Sequence, residues 1–446
     1  MIKENIIEKI FLEYFSNIKI FFGGEKMNVS RHDREVLREL AEKIANIAAL
    51  PIHNEKINMW KKLNSLKSKK PMIYIDNIPW HEMGIEEGLK LKTTNEFFKK
   101  IEMRMWKTIY RWEHMRVDMV VEPKVICPLV INNSGFGFEK VQDITAVDSD
   151  ERVHSFVESR HFCPKIKDED DIQKIKMPKI TYDEDANEQN YQMMSEIFNG
   201  ILEVEKCGTM DFWFAPWDDL ITWLGIEEGL TALALRPEFI HKCVERLMQA
   251  NISMLDQYEK MNLLTLNNGN YRTGSGGLGY TDELPQPDFN PKKVKAADLW
   301  GFSAAQIFND VSPQMHEEFA TNYELRWLKR FGLNYYGCCE ALHKKIDFVK
   351  KVPNLRKISI SPWADPKEAA LQIGDSYVLS CKLNPSIFAE KLWDPEKARR
   401  DLIDMLEKTK GCHVEILMKD ISTVRYQPQR LWEWAKIADE VTQNYY

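Results

Sequence analysis

From about residue 209 to the C-terminus, short apolar runs alternate with segments that open on proline. This alternation restricts the fold more than any other feature of the chain. The runs are "TMDFWFA", "LLTLN", "LWGFSAAQ", "GLNYYG", "KISIS", "SYVLSC" and "HVEILM". Helical stretches fall among them at Pro237–Met261, Pro313–Lys329, Pro366–Leu371, Pro395–Lys408 and Pro428–Gln443. Proline suits a first helical turn because its fixed φ is already helical and the N–H it lacks would have no partner there. Strands that alternate with helices must be joined by crossovers, which predicts a parallel sheet covered by helices. The seven runs, with one earlier strand near Val125–Ile131, predict an α/β fold of the (β/α)8 TIM-type barrel class with an N-terminal helical extension. A chain of 446 residues is long enough for such a barrel with additions.

The first part of the chain reads differently. Residues 1–29 form an amphipathic extension whose apolar run is broken by Lys9, Glu13 and Lys19, so it is neither a membrane span nor a secretory leader. A true start at Met27 is the plainer alternative. Residues 30–120 are expected to be a helical region packed on the barrel. There Ser30 and Asp33 have the spacing of a capping box, and Val36, Leu37, Leu40, Ile44 and Ile47 repeat at helical spacing. A short strand at Met72–Ile75 and a helix over Thr93–Met115 follow. Residues 121–446 would hold the barrel, with a charged insertion around 162–195. No glycine-rich strand-to-helix turn marks a dinucleotide site.

Charge and cysteine content narrow the function classes. With 61 basic against 68 acidic residues the formal net charge is −7, which gives no overall attraction to nucleic acid. Eight cysteines scattered over the whole length do not form a secreted disulfide framework, so they are expected as reduced thiols in a cytoplasmic protein with no membrane association.

In a barrel, chemistry sits where strands end and the following loops begin. Those ends here are "NNGNYRTGSGGLGY", Gln306, "GCCE", "SPWAD", "CKLNP" and "KDIST". In "GCCE", strand alternation would point Cys338 and Glu340 to one side and Cys339 to the other. Thiolate and carboxylate at i and i+2, with Cys381 or Asp420 as a third ligand, would make an open zinc site. A nucleophilic Cys338 and simple packing of the pair are the other readings. Asn267, Asn268, Gly276, Gln306 and Trp363 are candidates for substrate binding, and Tyr271 and Tyr336, with Tyr335, for proton donation. "TGSGGLGY" lacks the spacing of a phosphate loop and reads as a tight active-site loop. The 13 tryptophans, several in "WFAPWDDLITWLG", are expected in the core or around a pocket for a flat substrate.

"VSPQMHEEFATNYELRWLKRFGLNYYGCC" and "GCHVEILMKDISTVRYQPQRLWEWAKIADE" resemble two segments of the uroporphyrinogen decarboxylase and cobalamin-independent methionine synthase-like superfamily. The first is similar to a Ser-Pro, helix and strand leading into the metal or substrate motif, the second to the last strand and helix. "ALPIHNEKINMWKKLNSL", "PMIYIDNIPWHEM" and "RWEHMRVDMVVEP" resemble the branch of corrinoid-dependent methyltransferases, and the likeness spans roughly residues 30–446. It implies a methyltransferase component of an O-demethylase, which moves a methyl group from a methoxylated, aromatic substrate to a separate corrinoid protein, assisted by zinc. The branch binds zinc through His-x-Cys and a later Cys. This chain has Cys338-x-Glu340 instead, which departs from that pattern. A tetrapyrrole decarboxylase, a thiol-directed methyltransferase and a non-catalytic corrinoid-binding subunit are the alternatives, and a homodimer is compatible with all of them.

Overall fold

The computed structural model describes residues 29–84, 91–138, 142–146, 158–162 and 164–445. The expected N-terminal extension and the alternative start at Met27 therefore lie outside the described residues, apart from Val29. The fold is mixed α/β with a mostly parallel central sheet. Six strands lie side by side: β1 (Met72–Ile75), β12 (His413–Met418), β11 (Val378–Lys382), β10 (Leu355–Ile360), β9 (Leu333–Tyr336) and β8 (Trp300–Ser303). Every neighbouring pair is parallel, so all the C-terminal strand ends lie on one side. Strands β8, β9, β11 and β12 are buried along their whole length, as expected of parallel strands covered on both faces.

The other strands form smaller sheets. β2 (Lys124–Pro128) pairs in parallel with β7 (Glu203–Cys207); β3 (Ile131–Asn133) with β6 (Ile180–Tyr182) and β4 (Gln142–Ala146) with β5 (Glu158–Phe162) are antiparallel. "TMDFWFA" and "LLTLN" make only the parallel bridge Thr209–Leu264. Beyond that bridge side chains replace the ladder: Asn267 donates to the Met210 and Trp300 carbonyls and accepts from the Trp300 N–H. Gly208 sits so close to the chain that a Cβ there would lie 2.1 Å from the Leu263 oxygen. Among the described residues, five of the eight expected barrel strands, β8 to β12, thus stand in the continuous ladder, with β1 as its sixth member; the strand near Val125–Ile131 pairs with β7 as β2, and the other two share only the bridge.

Four expected helices keep their outlines: Pro237–Lys260, Pro366–Ile373, Pro395–Lys408 and Gln429–Asn444. Arg31–Ala48 starts on Ser30, whose Oγ accepts from the Asp33 N–H at 3.0 Å, but Asp33 turns its carboxylate to Thr94 rather than completing a capping box. The Thr93–Met115 helix begins only at Glu96, capped by Asn95. The expected 30–120 layer also supplies β1 to the central sheet. Within the charged insertion, Glu184–Phe198 is a helix that buries Met193, Met194, Ile197 and Phe198. Among the described residues no helix is long and apolar enough to cross a membrane.

The two faces of the sheet differ in chemistry. One carries Ile73, Ile75, Tyr336, Ile358, Ile360, Leu379, Cys381, Val414 and Ile416 into the largest apolar cluster. The other carries the alternate residues Tyr335, Lys357, Ser359, Ser380, Lys382 and Glu415, all buried. Lys357 and Glu415 form an ion pair at 2.8 Å with both side chains fully buried, and Trp60 and Trp300 flank the ammonium.

Candidate functional site

The site begins with the way β9 ends. The strand stops at Tyr336, and Gly337 has φ +94°, where a Cβ would meet Leu342 Cδ1 at 2.4 Å. Strand alternation therefore does not continue into Cys338, Cys339 and Glu340. The two cysteine sulfurs come together, 3.6 Å apart, instead of pointing to opposite sides. Glu340 folds back and accepts from the Cys338 N–H at 2.7 Å and the Ala305 N–H at 2.9 Å. Its carboxylate ties the loop after β9 to the loop after β8, and both oxygens are used.

Beneath Cys338 lies a polar floor from the sheet. The Cys338 carbonyl accepts from Ser359 Oγ at 2.7 Å and Lys382 Nζ at 3.1 Å. Tyr335 Oη donates to Ser380 and accepts from Ser275 and Lys382. The cation beside the sulfur is Lys419, at the end of β12, with Nζ 3.8 Å from Cys338 Sγ and 3.2 Å from Asp420. The Cys339 thiol, then Lys419 and Lys382, hold the Cys338 thiol below its ordinary value against burial. Cys339 moves the opposite way, pushed up because its proton is shared with Cys338. The two thiols share one hydrogen bond, and the Lys419 ammonium beside Cys338 favours negative charge on that sulfur. Burial pushes Lys419 down, but Asp420 and the two cysteines outweigh it and hold the ammonium charged.

Facing this group is Asp218, in the first turn of Pro216–Leu224. Its Oδ2 accepts from Gln306 Nε2 at 2.6 Å and Trp213 Nε1 at 3.4 Å. Burial raises its pKa above the usual carboxylate range, against the hydrogen bonds from Trp213 and Gln306, and the nearby charges of Asp219 and Cys338 add to the rise. Gln306 Oε1 is buried without a hydrogen-bond donor, an acceptor open to a ligand group. Trp213, Phe302, Tyr335 and Cys338 share an apolar cluster, with the Trp213 and Phe302 rings 4.4 Å apart. Farther round the strand ends, Arg272 pairs with Asp76 after β1, and burial lifts Asp211 to about 6, opposed by Arg272.

The expected zinc set is not brought together. Glu340 is engaged with two backbone amides, and Cys381 lies on the opposite face of the sheet from Lys382, in the largest apolar cluster. Strand alternation itself puts Cys381 there, because its neighbours Ser380 and Lys382 take the polar face. Asp420 does lie near Cys338, with Lys419 between the two charges. Among the described residues no three His, Cys, Asp or Glu side chains are arranged to hold a metal ion.

Other expected residues also find different places. Asn267 and Asn268 are spent on backbone carbonyls, the second on those of Thr281 and Leu284. Gly276 and Gly277 press against the polar face, where a Cβ on Gly276 would meet Glu415 Oε1 and Tyr335 Cε2 at 2.5 Å. The glycine-rich loop therefore fills the sheet interior and is not free to hold a substrate. Tyr271 sits beside Arg272. Trp363 is 65% exposed in the loop after β10. Asp218, Lys419 and Lys382 were not anticipated. The signal for Lys419 lies in "KDIST", one position before Asp420, and that for Asp218 in "WDD", within an otherwise apolar stretch.

Tyr336 points away from Cys338, into a buried network behind β9. Its hydroxyl donates to Glu324 at 2.8 Å and lies near Thr321 and His316, and His316 contacts Lys345. Burial pushes Glu324 up to about 8, helped by the Glu340 charge and opposed by the Tyr336 hydrogen bond. A carboxyl whose folded pKa is raised contributes stability at low pH that is lost as pH rises through that value. His316 is held well below its ordinary 6.5 by burial and Lys345, and its titration in the unfolded chain is common to wild type and Glu324→Gln. Between pH 6.5 and about 8 the unfolding free energy of the wild type should therefore fall relative to Glu324→Gln, by on the order of 1–2 kcal/mol. Urea unfolding at both pH values measures this. An identical pH slope in the two proteins would show that Glu324 is ionised throughout.

A shallow groove lined by Gln249, Ile252, Ser253, Asp256, Lys260 and Arg326 lies on outer helices and holds none of these groups. No family model matches the chain, and no curated protein matches it. Among solved structures the chain is similar to a methyltransferase from Methanosarcina mazei, at 10% identity and a TM-score of 0.35, over 59% of this chain and 72% of that one. A likeness this slight bears on neither fold nor activity.

Proposed function

We propose that the chain is a methyltransferase that takes a methyl group from a methoxylated, aromatic donor and delivers it to a corrinoid carried by a separate protein. One observation carries the reading: at the strand ends the Lys419 ammonium lies 3.8 Å from the Cys338 sulfur, and Trp213, packed in the same cluster as Cys338, donates to the carboxyl of Asp218, whose pKa burial raises. The resemblance of the two C-terminal segments to corrinoid-dependent methyltransferases supports it.

Breaking an aryl O–CH3 bond leaves a phenolate, a poor leaving group unless its charge is met. Asp218 holds a proton that can pass to the departing oxygen as the bond breaks. Lys419, anchored by Cys338 and Asp420, presents positive charge to the same oxygen, and the surroundings of both are poor in water. Gln306 fixes the Asp218 carboxyl through Oδ2, which leaves Oδ1 to carry the proton. Trp213, partly exposed and backed by the buried Phe302 ring, offers flat apolar surface to an aromatic ring. The corrinoid, when docked, supplies the reduced cobalt that receives the methyl group. No step is routed through zinc, because the residues expected to bind it are otherwise engaged. Trp363, Leu392 and Tyr426, exposed on the three loops that follow β10, β11 and β12, are the surface we assign to the acceptor protein.

The test is a donor screen with purified protein, read as demethylated product. Methoxy-aromatics, methylamines and methyl halides are each offered with a reduced corrinoid protein, with a free thiol, or with no acceptor. Product from a methoxy-aromatic only in the presence of the corrinoid protein is expected. Turnover without any acceptor, or no product from any pair, would overturn the reading.

A further inference from the structure

Two cysteines adjacent in sequence rarely place their sulfurs side by side, because along a regular strand they point to opposite faces. Here the turn at Gly337 brings Cys338 Sγ and Cys339 Sγ to 3.6 Å. The segment that holds them belongs to neither helix nor strand, so closing the remaining distance requires no break in a backbone ladder. Cys339 is partly exposed while Cys338 is buried beneath it, and Lys419 Nζ lies 3.8 Å from the Cys338 sulfur. We propose that Cys338 and Cys339 form a reversible vicinal disulfide, and that a small peroxide is the oxidant the site accepts.

The chemistry balances as follows. The Cys338 thiolate, faced by the Lys419 ammonium, attacks one oxygen of hydrogen peroxide, and the O–O bond breaks. The hydroxide that leaves takes up a proton and becomes water, and Cys338 becomes a sulfenic acid. The Cys339 thiol then attacks that sulfur, the S–O bond breaks, and a second water departs as the S–S bond forms. Two thiols are oxidised, one peroxide is reduced, and the protein loses two hydrogens. A dithiol reverses the reaction by exchange. Among the described cysteines only Cys339 is not buried, and it lies directly over Cys338, so a small peroxide has its shortest route to this pair.

The consequence for activity rests on the function proposed above. A disulfide removes the negative sulfur that anchors Lys419, and methyl transfer should fall with it. The experiment treats the purified full chain with hydrogen peroxide and follows intact mass, peptide mass and methyl transfer together. In the wild type the peptide containing both cysteines should lose the mass of two hydrogens and regain it with dithiothreitol. Cys339→Ser should instead gain one oxygen at Cys338, trapped by dimedone. Lys419→Met should slow disulfide formation by about tenfold, through a smaller thiolate fraction. If the wild-type peptide only gains oxygen and never loses two hydrogens, the proposal is overturned. It is equally overturned if Cys339→Ser shows the same loss of two hydrogens as the wild type. A disulfide that forms while methyl transfer continues undiminished leaves the modification standing and overturns the role given to Cys338 in the reaction, so the two failures are distinguishable.

Discussion

Asp218→Asn is expected to lower kcat for methyl transfer by about 10²–10⁴-fold while thermal unfolding stays close to wild type. Asparagine keeps the shape and the hydrogen bond with Gln306 but has no proton for the departing oxygen. The pH profile separates this role from a structural one. The folded pKa of Asp218 is raised by burial, so the competent protonated form is present below that value and is lost as pH rises through it. Cys338 works in the opposite sense, because its lowered pKa keeps the thiolate that anchors Lys419 until pH falls through it. The wild type should give a bell-shaped profile, and Asp218→Asn should lose its alkaline limb while keeping the acid limb. A variant with wild-type kcat, or with the alkaline limb unchanged, would remove Asp218 from the chemistry.

The second large effect concerns stability. Lys357 and Glu415 are a fully buried ion pair on the polar face of the sheet, and Glu415 also accepts from the Gly277 N–H. Burial lowers the Lys357 pKa and Glu415 opposes the shift, so the lysine depends on its partner to stay charged. Glu415→Ala leaves an ammonium with no counter-charge between Trp60 and Trp300, and should cost about 3–5 kcal/mol in urea unfolding. Replacing both residues together, Lys357→Met with Glu415→Leu, should recover most of that loss, because neither charge then remains to be desolvated. A single variant within about 1 kcal/mol of the wild type would mean that water reaches the pair.

Much of the architecture could be read along the chain. The runs that became β8 to β12 were marked by length, β-branched and aromatic content and the proline-opened helices between them, because strand and helix periods are local properties. "TMDFWFA" and "LLTLN" carried the same local signal but form one bridge, since Gly208 and Asn267 fit a close approach in which side chains replace the ladder. "GCCE" and "KDIST" do follow directly on β9 and β12, and Gln306, expected to bind substrate, donates to the Asp218 carboxyl. The individual residues were less legible. Cys338 and Glu340 were paired by strand alternation, and a glycine at positive φ ended that alternation one residue earlier. Tyr335 and Tyr336 are adjacent, yet only the first faces the site.

By itself the sequence determined most of the strands and helices from residue 300 onward, and that those strands run parallel with their C-terminal ends on one side. Periodicity and proline placement are written residue by residue, and parallel connection follows from the alternation. Only the tertiary structure decided which side chains meet there. Asp218, Cys338 and Lys419 come from segments far apart in the chain, and the burial that raises the Asp218 pKa and the charge that Lys419 brings to Cys338 exist only once those segments pack together. No local pattern encodes that desolvation.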